Sequence, residues 1–508
     1  MTFRSILFPQ DTTPPQATEA PAFFIDLNLD QIVDAITAPK EEYALTSYFY
    51  TPLLDVDSIY YRHEIMKDLE DAGLLEHIRH FAEQMRTMRK QLAQVDKLYY
   101  TLQKHRWFLS AVDVYCAAVT YLTDALGSTH LRSRGFVAFR DYLTAHVATD
   151  GFQMLLRHTK ALIDDLASIE YSMLVYDNDV KVRQYESEAD YSLEVTQTFA
   201  KFQQGSVKDY RVAFTESPDM NHVEAAVLEF VARLYADIFA RLEAYCTANE
   251  HYVDATIRSF DREIQFYVGY LEYVSTLRRA GLKVCYPEIS VNKDVYAYDS
   301  FDIALAHKLI PEHSAVVCND FYLKGKERIF VVSGPNQGGK TTFARTFGQL
   351  HYLALIGCPV PGKDAQLFLF DNLFTHFEKE ETITSLHGKL EDELFRIHDI
   401  LEKATPRSIV IMNEIFTSTT LRDAIFLGRQ VTDSIIRLDL LCVFVTFIDE
   451  MASLSDTIVS MVSTTVPDNP AVRTFKVVRK LADGRAYAVT IAEKYRLTYE
   501  CLKERIRA

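Results

Sequence analysis

Eight consecutive residues, from Gly334 to Thr341, have the composition and spacing of a phosphate-binding loop. They read Gly-Pro-Asn-Gln-Gly-Gly-Lys-Thr and satisfy the pattern G-x-x-x-x-G-K-[ST]. Glycines in such a loop allow successive backbone N–H groups to point inward around a phosphate, and the N-terminus of the following helix adds positive potential. The Lys340 ammonium would reach the β- and γ-phosphate oxygens, and the Thr341 hydroxyl would bind Mg²⁺. The predicted nucleotide-binding set is Gly334, Pro335, Asn336, Gln337, Gly338, Gly339, Lys340, Thr341 and Thr342.

A second group of candidate residues, Asn413 and Glu414, ends the apolar run SIVIMNE. Nucleotide-hydrolysing enzymes with a phosphate-binding loop place a metal-associated acid and a water-polarising residue in this part of the fold. Glu414 is therefore the predicted general base. Without other signals, the simpler interpretation of a carboxylate at a strand end is that it is solvated or caps a helix. The phosphate-binding loop upstream makes the catalytic interpretation the favoured one. The Asn413 amide could hold a metal-bound water but brings no negative charge, which predicts weaker Mg²⁺ binding or slower turnover.

The segments around these residues predict an α/β domain over residues 283–508. The IFVVS strand leads directly into the loop, and the amphipathic segment TTFARTFGQLHYLAL follows, which is the context that the motif requires. Other short β-rich runs are mostly followed by segments with helical periodicity. The predicted strands are 329–333, 408–412, 441–447 and 457–462, then a hairpin of 474–478 and 486–491 around Asp483-Gly484, before a final helix from Thr498.

Residues 26–282 contain few glycines or prolines and predict a second, all-α domain. Apolar residues recur at spacings of three and four, for example over 77–106 and 151–170. The clearest helix begins at Ser217-Pro218 and could run, with a kink, to Arg279. Such a segment of roughly 60 residues would span about 90 Å, so we expect an elongated lever. Alternation around Asp177-Asn178-Asp179 predicts a hairpin insertion near 171–215.

Composition and charge exclude several classes of protein and site. The chain has 508 residues, a formal net charge of −16 and seven scattered cysteines without a CxxC pattern, so neither a disulfide framework nor a zinc site is indicated. Four prolines within residues 1–25 predict a flexible N-terminal tail. No stretch has about 18 uncharged apolar residues, so we expect no membrane contact and a cytoplasmic location.

These motifs resemble those of the MutS family of DNA mismatch-repair ATPases. The family's loop reads GPNMGGKST and its later strand ends in DEIGRGTSTxDG, where this sequence has GPNQGGKTT and NEIFTSTTLRDA. YPEI at 286–289 and VCNDFYL at 317–323 are similar to family landmarks, and the similarity extends from about residue 283 to the end. The resemblance implies an ABC-type P-loop NTPase domain at the C-terminus and an elongated all-α lever and core domain before it.

The resemblance also implies roles for particular residues. It implies that the loop binds ATP with Mg²⁺, with Thr341 on the metal and Asn413 beside it through water, and that Glu414 activates water. Family ATPases complete each site across a homologous dimer, which would place Asp423 at the dimer contact and makes Ser385 the nearest candidate for the serine supplied by the partner. Ser385 could equally be the N-cap of the following helix. Where the family has a histidine, this sequence has Phe447, so a γ-phosphate-sensing imidazole is not expected.

Contact with nucleic acid is predicted to be local, because the chain as a whole is acidic. The candidate residues are Arg86, Arg89, Lys90 and Lys97, whose segment could track phosphates, although a solvated helix face is the simpler interpretation. The helical core begins within roughly 25 to 30 residues of Met1. We therefore expect no mismatch-recognition or connector domain. We expect instead that ATP drives lever movement on duplex or branched DNA without direct mismatch reading. The alternative is a nucleotide-dependent switch or scaffold that acts on a protein partner without binding DNA.

Overall fold

The computed structural model describes residues 3–9, 16–177, 179–187, 191–200, 220–378, 388–466, 469–481, 497–499, 502–503 and 505. Within them the α-helices are α1 (Leu29–Thr37), α2 (Thr46–Tyr50), α3 (Val56–Asp68), α4 (Ala72–Lys97), α5 (Thr101–Ser128), α6 (Arg134–Val147), α7 (Asp150–Ala167), α8 (Tyr191–Ala200), α9 (His222–Leu234), α10 (Ala236–Ala248), α11 (Ala255–Arg279), α12 (Ile303–Leu309), α13 (Lys340–Leu355), α14 (Lys389–Lys403) and α15 (Leu421–Leu438). The strands are β1 (Tyr171–Tyr176), β2 (Asp179–Gln184), β3 (Val284–Cys285), β4 (Glu288–Ser290), β5 (Val295–Ser300), β6 (Asn319–Leu323), β7 (Ile329–Ser333), β8 (Val360–Pro361), β9 (Asp364–Phe368), β10 (Leu373–Phe377), β11 (Ile409–Asn413), β12 (Leu441–Val445), β13 (Ile458–Val466) and β14 (Asn469–Arg479).

The chain divides into two compact units. One comprises residues 1–3, 70–132 and 136–261, and the other comprises 4–69, 133–135 and 262–508. This division differs from the boundary expected at residue 283, because the second unit also takes in residues 4–69 and 262–282. Residues 4–69 are tied to this unit through α13, because Gln349 Nε2 donates to the Leu27 carbonyl at 2.8 Å and Tyr352 Oη donates to the Phe49 carbonyl at 2.8 Å.

The N-terminal residues correct the expectation of a flexible tail. Ile6 and Leu7 are fully buried in the second unit, and Arg62 Nε donates to the Leu7 carbonyl at 3.2 Å. Burying a large apolar side chain contributes roughly 1.5–3 kcal/mol, which offsets the entropy lost when the segment is ordered. The prediction of a flexible tail from proline content is therefore wrong for residues 3–9.

The first unit consists of helices with one hairpin. Helix α4 buries Leu74, Ile78, Phe81, Met85 and Met88 at spacings of three and four, and it packs along α5. The helical run expected over 77–106 is interrupted at Leu98, where the backbone becomes extended. Helix α5 is long and apolar enough to cross a membrane by length and composition, but 56% of its most apolar 18-residue segment is buried inside the fold, as in a core helix.

The structure confirms the predicted hairpin but not the predicted long helix. The predicted hairpin is confirmed, with β1 and β2 antiparallel and Tyr171 opposite Gln184. The single helix expected up to Arg279 is wrong, since the segment forms α9, α10 and α11. Ser217 and Pro218 lie outside the described residues, and α9 is capped instead by Asn221, whose side chain accepts from the backbone N–H of Glu224 while the Glu224 carboxylate accepts from that of Asn221.

The second unit contains a six-stranded sheet in the order β10-β11-β12-β7-β13-β14. The first five strands are parallel, and β14 pairs antiparallel with β13. Strand β7 matches the predicted 329–333, and all five of its residues are buried. The predicted strands at 408–412, 441–447, 457–462 and 474–478 are confirmed within a few residues as β11, β12, β13 and part of β14, whereas 486–491 lies outside the described residues. A smaller sheet in the same unit has the order β4-β9-β5-β6.

Two buried histidines should make the stability of this unit sensitive to pH. Burial lowers the pKa of His63 to about 3 and that of His351 to about 4. The unfolded chain, with histidine near 6.5, binds more protons, so stability is present above that value and is lost as pH falls through it. From pH 7 to pH 5 each histidine should cost about 2 kcal/mol.

This expectation is testable by urea unfolding at pH 7 and pH 5. The His63→Phe variant keeps a ring between Tyr60 and Tyr286 but removes the titrating group, so its loss of stability on acidification should be about 2 kcal/mol smaller. The matched control is His398→Gln, which removes an exposed histidine of the same unit and should retain the wild-type loss. An unchanged pH dependence in His63→Phe would contradict the prediction.

Candidate functional site

The sheet order brings the candidate residues together at one edge. Strands β11, β12 and β7 are parallel neighbours, with Asn413 opposite Val445 and Val445 opposite Val332. Their carboxyl ends therefore meet at the same edge of the sheet, which is where open α/β sheets bind ligands. The loop after β7, the pair Asn413–Glu414 at the end of β11, and Phe447 just after β12 all lie there.

The loop is packed closely against the neighbouring strand β13. Gly334 has φ of 117°, and a Cβ atom added to it would lie 2.5 Å from Ser463 Oγ. A Cβ on Gly338 would meet the same oxygen at 2.5 Å. Ser463 is fully buried, so it cannot move aside into solvent. These two positions therefore require glycine for reasons of space, and Gly334 requires it for its backbone conformation as well.

Lys340 begins α13 and turns its ammonium toward the loop. Its Nζ donates to the Gly334 carbonyl at 3.1 Å and the Pro335 carbonyl at 3.2 Å, and it lies 3.8 Å from Glu414 Oε1. The Phe447 ring covers the ammonium, with 4.1 Å between Nζ and the ring centroid. Burial lowers the pKa of Lys340, and the nearby Glu414 carboxylate opposes that change. A desolvated ammonium of this kind interacts strongly with an anion.

The two candidate metal-associated residues contact each other. Thr341 Oγ1 donates to Asn413 Oδ1 at 3.0 Å. A hydroxyl and an amide oxygen are neutral ligands of the type that Mg²⁺ accepts, usually alongside several waters and substrate phosphates. The residues therefore fit a magnesium ion held largely through water and nucleotide, with Glu414 as the carboxylate beside it. Within the described residues no cluster of three or more His, Cys, Asp or Glu side chains could hold a metal alone.

Glu414 occupies a strained position directly after β11. Its φ is 56°, in the left-handed region, and its backbone N–H donates to the Val445 carbonyl at 2.9 Å. Such a conformation in a residue other than glycine costs of order 1–3 kcal/mol and is often found at functional sites. Burial raises the pKa of Glu414, the Lys340 ammonium opposes this, and Glu378 at the end of β10 raises it further. The carboxyl group is thus closer to a general base's working range than an exposed glutamate.

Other predicted site residues have varied placements. Asp423 is exposed in the first turn of α15, where its carboxylate accepts from Thr420 Oγ1 at 2.8 Å and its N–H donates back to that hydroxyl. Ser385 lies outside the described residues. Thr342 is half-buried near the start of α13. Sequence reasoning missed Glu378 and Ser463, because their proximity to the loop depends on strand pairing that local patterns do not specify.

The nucleic-acid candidates lie on α4 in the first unit. Arg86, Lys90 and Lys97 are exposed and, at spacings of four and seven, share one helix face. Arg89 does not join them, since its guanidinium forms an ion pair with the buried carboxylate of Asp261. Removal of Arg89 would leave the buried Asp261 carboxylate without a compensating charge, which indicates a structural role for Arg89.

Comparison with known proteins agrees with the geometry of the loop. Residues 330–505 match the family model of MutS domain V, which is a P-loop ATPase domain. The DNA mismatch repair protein MutS of Thermosipho melanesiensis is 32% identical over 186 residues, covering 35% of this chain and 22% of that protein. The MutS of Shouchella clausii is 27% identical over 289 residues, covering 54% of this chain and 32% of its own length. The chain thus spans between about a fifth and a third of these relatives. Residues 330–505 therefore form a domain related to MutS domain V, and through this region the chain is related to MutS proteins.

Proposed function

We propose that this protein hydrolyses ATP with Mg²⁺ and uses the cycle to change how it holds DNA, as a MutS-type ATPase. The observation that carries the proposal is the convergence of Lys340, Thr341, Asn413 and Glu414 at the carboxyl edge of the sheet. In this proposal the loop amides and Lys340 bind the triphosphate, and Thr341 would hold Mg²⁺ with Asn413 beside it through a water molecule. When bound, Mg²⁺ would supply positive charge beside the phosphate oxygens. Glu414 accepts a proton from the attacking water.

We further propose that the ATPase domain works as a dimer. Support comes from α14 and α15, which carry large apolar side chains on the surface, among them Phe395, Leu421 and Phe426 with exposures of 57%, 67% and 62%. Helices α14 and α15 contribute to the same hydrophobic core cluster, and exposed apolar patches are typical of interaction surfaces. Asp423 lies between Leu421 and Phe426 in the first two turns of α15 and would belong to this contact. A cytoplasmic location remains a prediction from the sequence.

Asn413 should limit the rate of the chemical step. An aspartate there would bring negative charge to the metal-bound water, so Asn413→Asp should accelerate hydrolysis in a single turnover by about tenfold. The control is Asn372→Asp, the same change at an exposed residue just before β10, at the end of that strand away from the site. It should leave the rate of hydrolysis unaltered. No acceleration in Asn413→Asp would refute slow hydrolysis as a consequence of this residue.

Whether the protein binds DNA can be tested by a single set of DNA titrations. Fluorescence anisotropy with homoduplex, mismatched and four-way-junction DNA, with and without ATP at two salt concentrations, should show binding that weakens with salt. The variant Lys90→Gln/Lys97→Gln should bind roughly tenfold more weakly, and its salt dependence should be shallower, because each phosphate contact contributes about 0.9 to the slope. Arg157→Gln/Lys160→Gln on α7 removes equal charge from exposed positions of the same unit and should bind like the wild type.

The alternative function predicts a different outcome from the same titration. If no DNA form binds in a salt-dependent way, the protein is better described as a nucleotide-dependent switch that acts on a protein partner. The net charge of −16 supports that alternative. The exposed basic face of α4 favours DNA.

A further inference from the structure

Strand β14 passes beside the phosphate-binding loop with an irregular backbone. Its pairing with β13 shifts register between Ser463 and Thr465 and again between Thr465 and Val466. Phe475 on β14 has φ of 57°, and its carbonyl lies 3.5 Å from the position of a Cβ on Gly339. Bulges of this kind turn a strand and redirect its side chains, often next to a functional site. Here they bring the middle of β14 against the loop.

The side chain that reaches the loop is Arg473. Its Nε donates to the backbone carbonyl of Asn336 at 3.1 Å. From the other direction, Lys340 Nζ lies 3.5 Å from the side-chain oxygen of the same residue. Two cationic side chains therefore contact one residue of the loop, although they come from different elements of the fold.

The charges around Asn336 favour an anion. Burial is the main cause of the lowered pKa of Lys340, and the nearby charge of Arg473 adds to it. Lys340 has Glu414 beside it at 3.8 Å, but at Asn413 the site has an amide where an acid is expected. Holding two cations close together is unfavourable unless an anion lies near both of them. A polyphosphate is the anion that this loop is built to bind.

We propose that Arg473 binds the terminal phosphate of a nucleoside triphosphate held in the same subunit's loop. The proposal rests on the proposed function, because it assumes that the loop holds ATP. The N-terminus of α13 would hold the inner phosphates, and a lysine at the position of Lys340 reaches the outer phosphate oxygens. Asn336 contacts both Lys340 Nζ and Arg473 Nε, so Arg473 lies on the side of the loop that the outer phosphates would occupy. A guanidinium binds phosphate oxygens with a planar fork of donors and is permanently charged. Arg473 thereby adds a permanent positive charge to the site.

The test compares ATP with ADP in the full chain. Dissociation constants for fluorescent analogues of both nucleotides with Mg²⁺ are measured for the wild type, Arg473→Gln, Arg473→Lys and Arg479→Gln. Arg479 is on the same strand but pairs with Glu327, so its variant is the matched control. Arg473→Gln should weaken ATP binding about tenfold and ADP binding less than about twofold, while Arg473→Lys, which keeps the charge but loses the planar fork, should recover only part of the loss.

Two outcomes would overturn the assignment. Equal weakening of ATP and ADP in Arg473→Gln would indicate that Arg473 only supports the shape of the loop. Behaviour identical to that of Arg479→Gln would remove Arg473 from the site altogether. If Lys340→Ala abolishes ATP binding in the same assay, either result overturns only the role of Arg473. If Lys340→Ala binds ATP normally, the proposed function fails together with it.

Discussion

Lys340→Ala should weaken binding of ATP with Mg²⁺ by at least about 100-fold. The reason is that the ammonium is almost fully buried at the loop, where each charge-assisted hydrogen bond to a phosphate contributes roughly 1.5–3 kcal/mol and two such bonds are lost. Equilibrium binding of a fluorescent ATP analogue measures this directly. Circular dichroism on the same samples verifies that the variant folds, which is necessary because the change leaves Glu414 without its nearest cation.

The control for this variant is Lys326→Ala, which removes an exposed lysine shortly before β7 and should bind ATP like the wild type. The same preparations allow a test of self-association by analytical ultracentrifugation. The wild type should dimerise with saturating ATP and Mg²⁺, whereas Lys340→Ala should not. Undiminished affinity in Lys340→Ala, or a wild type that stays monomeric under these conditions, would contradict the proposed nucleotide site and its place in the dimer.

Glu414→Gln should reduce the rate of ATP hydrolysis by a factor of about 10² to 10⁴ while leaving ATP binding intact, because the amide cannot accept the proton of the attacking water. Single-turnover phosphate release measures the chemical step separately from binding. Glu402→Gln removes an exposed carboxylate near the end of α14 and should hydrolyse ATP at the wild-type rate.

The pH profile of the wild type gives an independent readout of Glu414. The base must be ionised, so hydrolysis is lost as pH falls through its pKa, and burial places that pKa above the usual range of a glutamate. We expect the acid limb of the profile to shift accordingly and to be absent in the residual activity of Glu414→Gln. Hydrolysis by Glu414→Gln at the wild-type rate would assign the base to another group, with Glu378 the nearest carboxylate for a second variant.

Much of the site could be predicted because its signals are local. The strand before the loop, the glycines and Lys340 are adjacent in sequence, and β7 has the predicted bounds. Asn413 and Glu414 could be assigned to the same site as the loop from the sequence. In a protein with a phosphate-binding loop, a buried strand that ends in a carboxylate is typical of the metal-associated strand. The hairpin of β1 and β2 was equally local, because alternation and a turn of Asp and Asn specify it.

Features that depend on contacts across the chain could not be predicted. The breaks between α9, α10 and α11 do not disturb helical periodicity strongly enough to be read from it, and Tyr235 leaves helical geometry without a proline or glycine. Phe447 was identified only by the imidazole it replaces, whereas its ring faces Lys340. Arg473 carried no local signal, because it is far from the loop in sequence and its contact with Asn336 depends on how β14 pairs with β13.

The burial of α13 limits how far the protein can be treated as modular. Thirteen of the sixteen residues in this helix are buried, and its partners include the backbone of Leu27 and Phe49 as well as the large sheet. A gene fragment that starts at residue 283 would encode the whole phosphate-binding loop yet leave one flank of its helix facing water. Recombination or truncation at the boundary that the motifs suggest would therefore separate the nucleotide site from part of its own hydrophobic core.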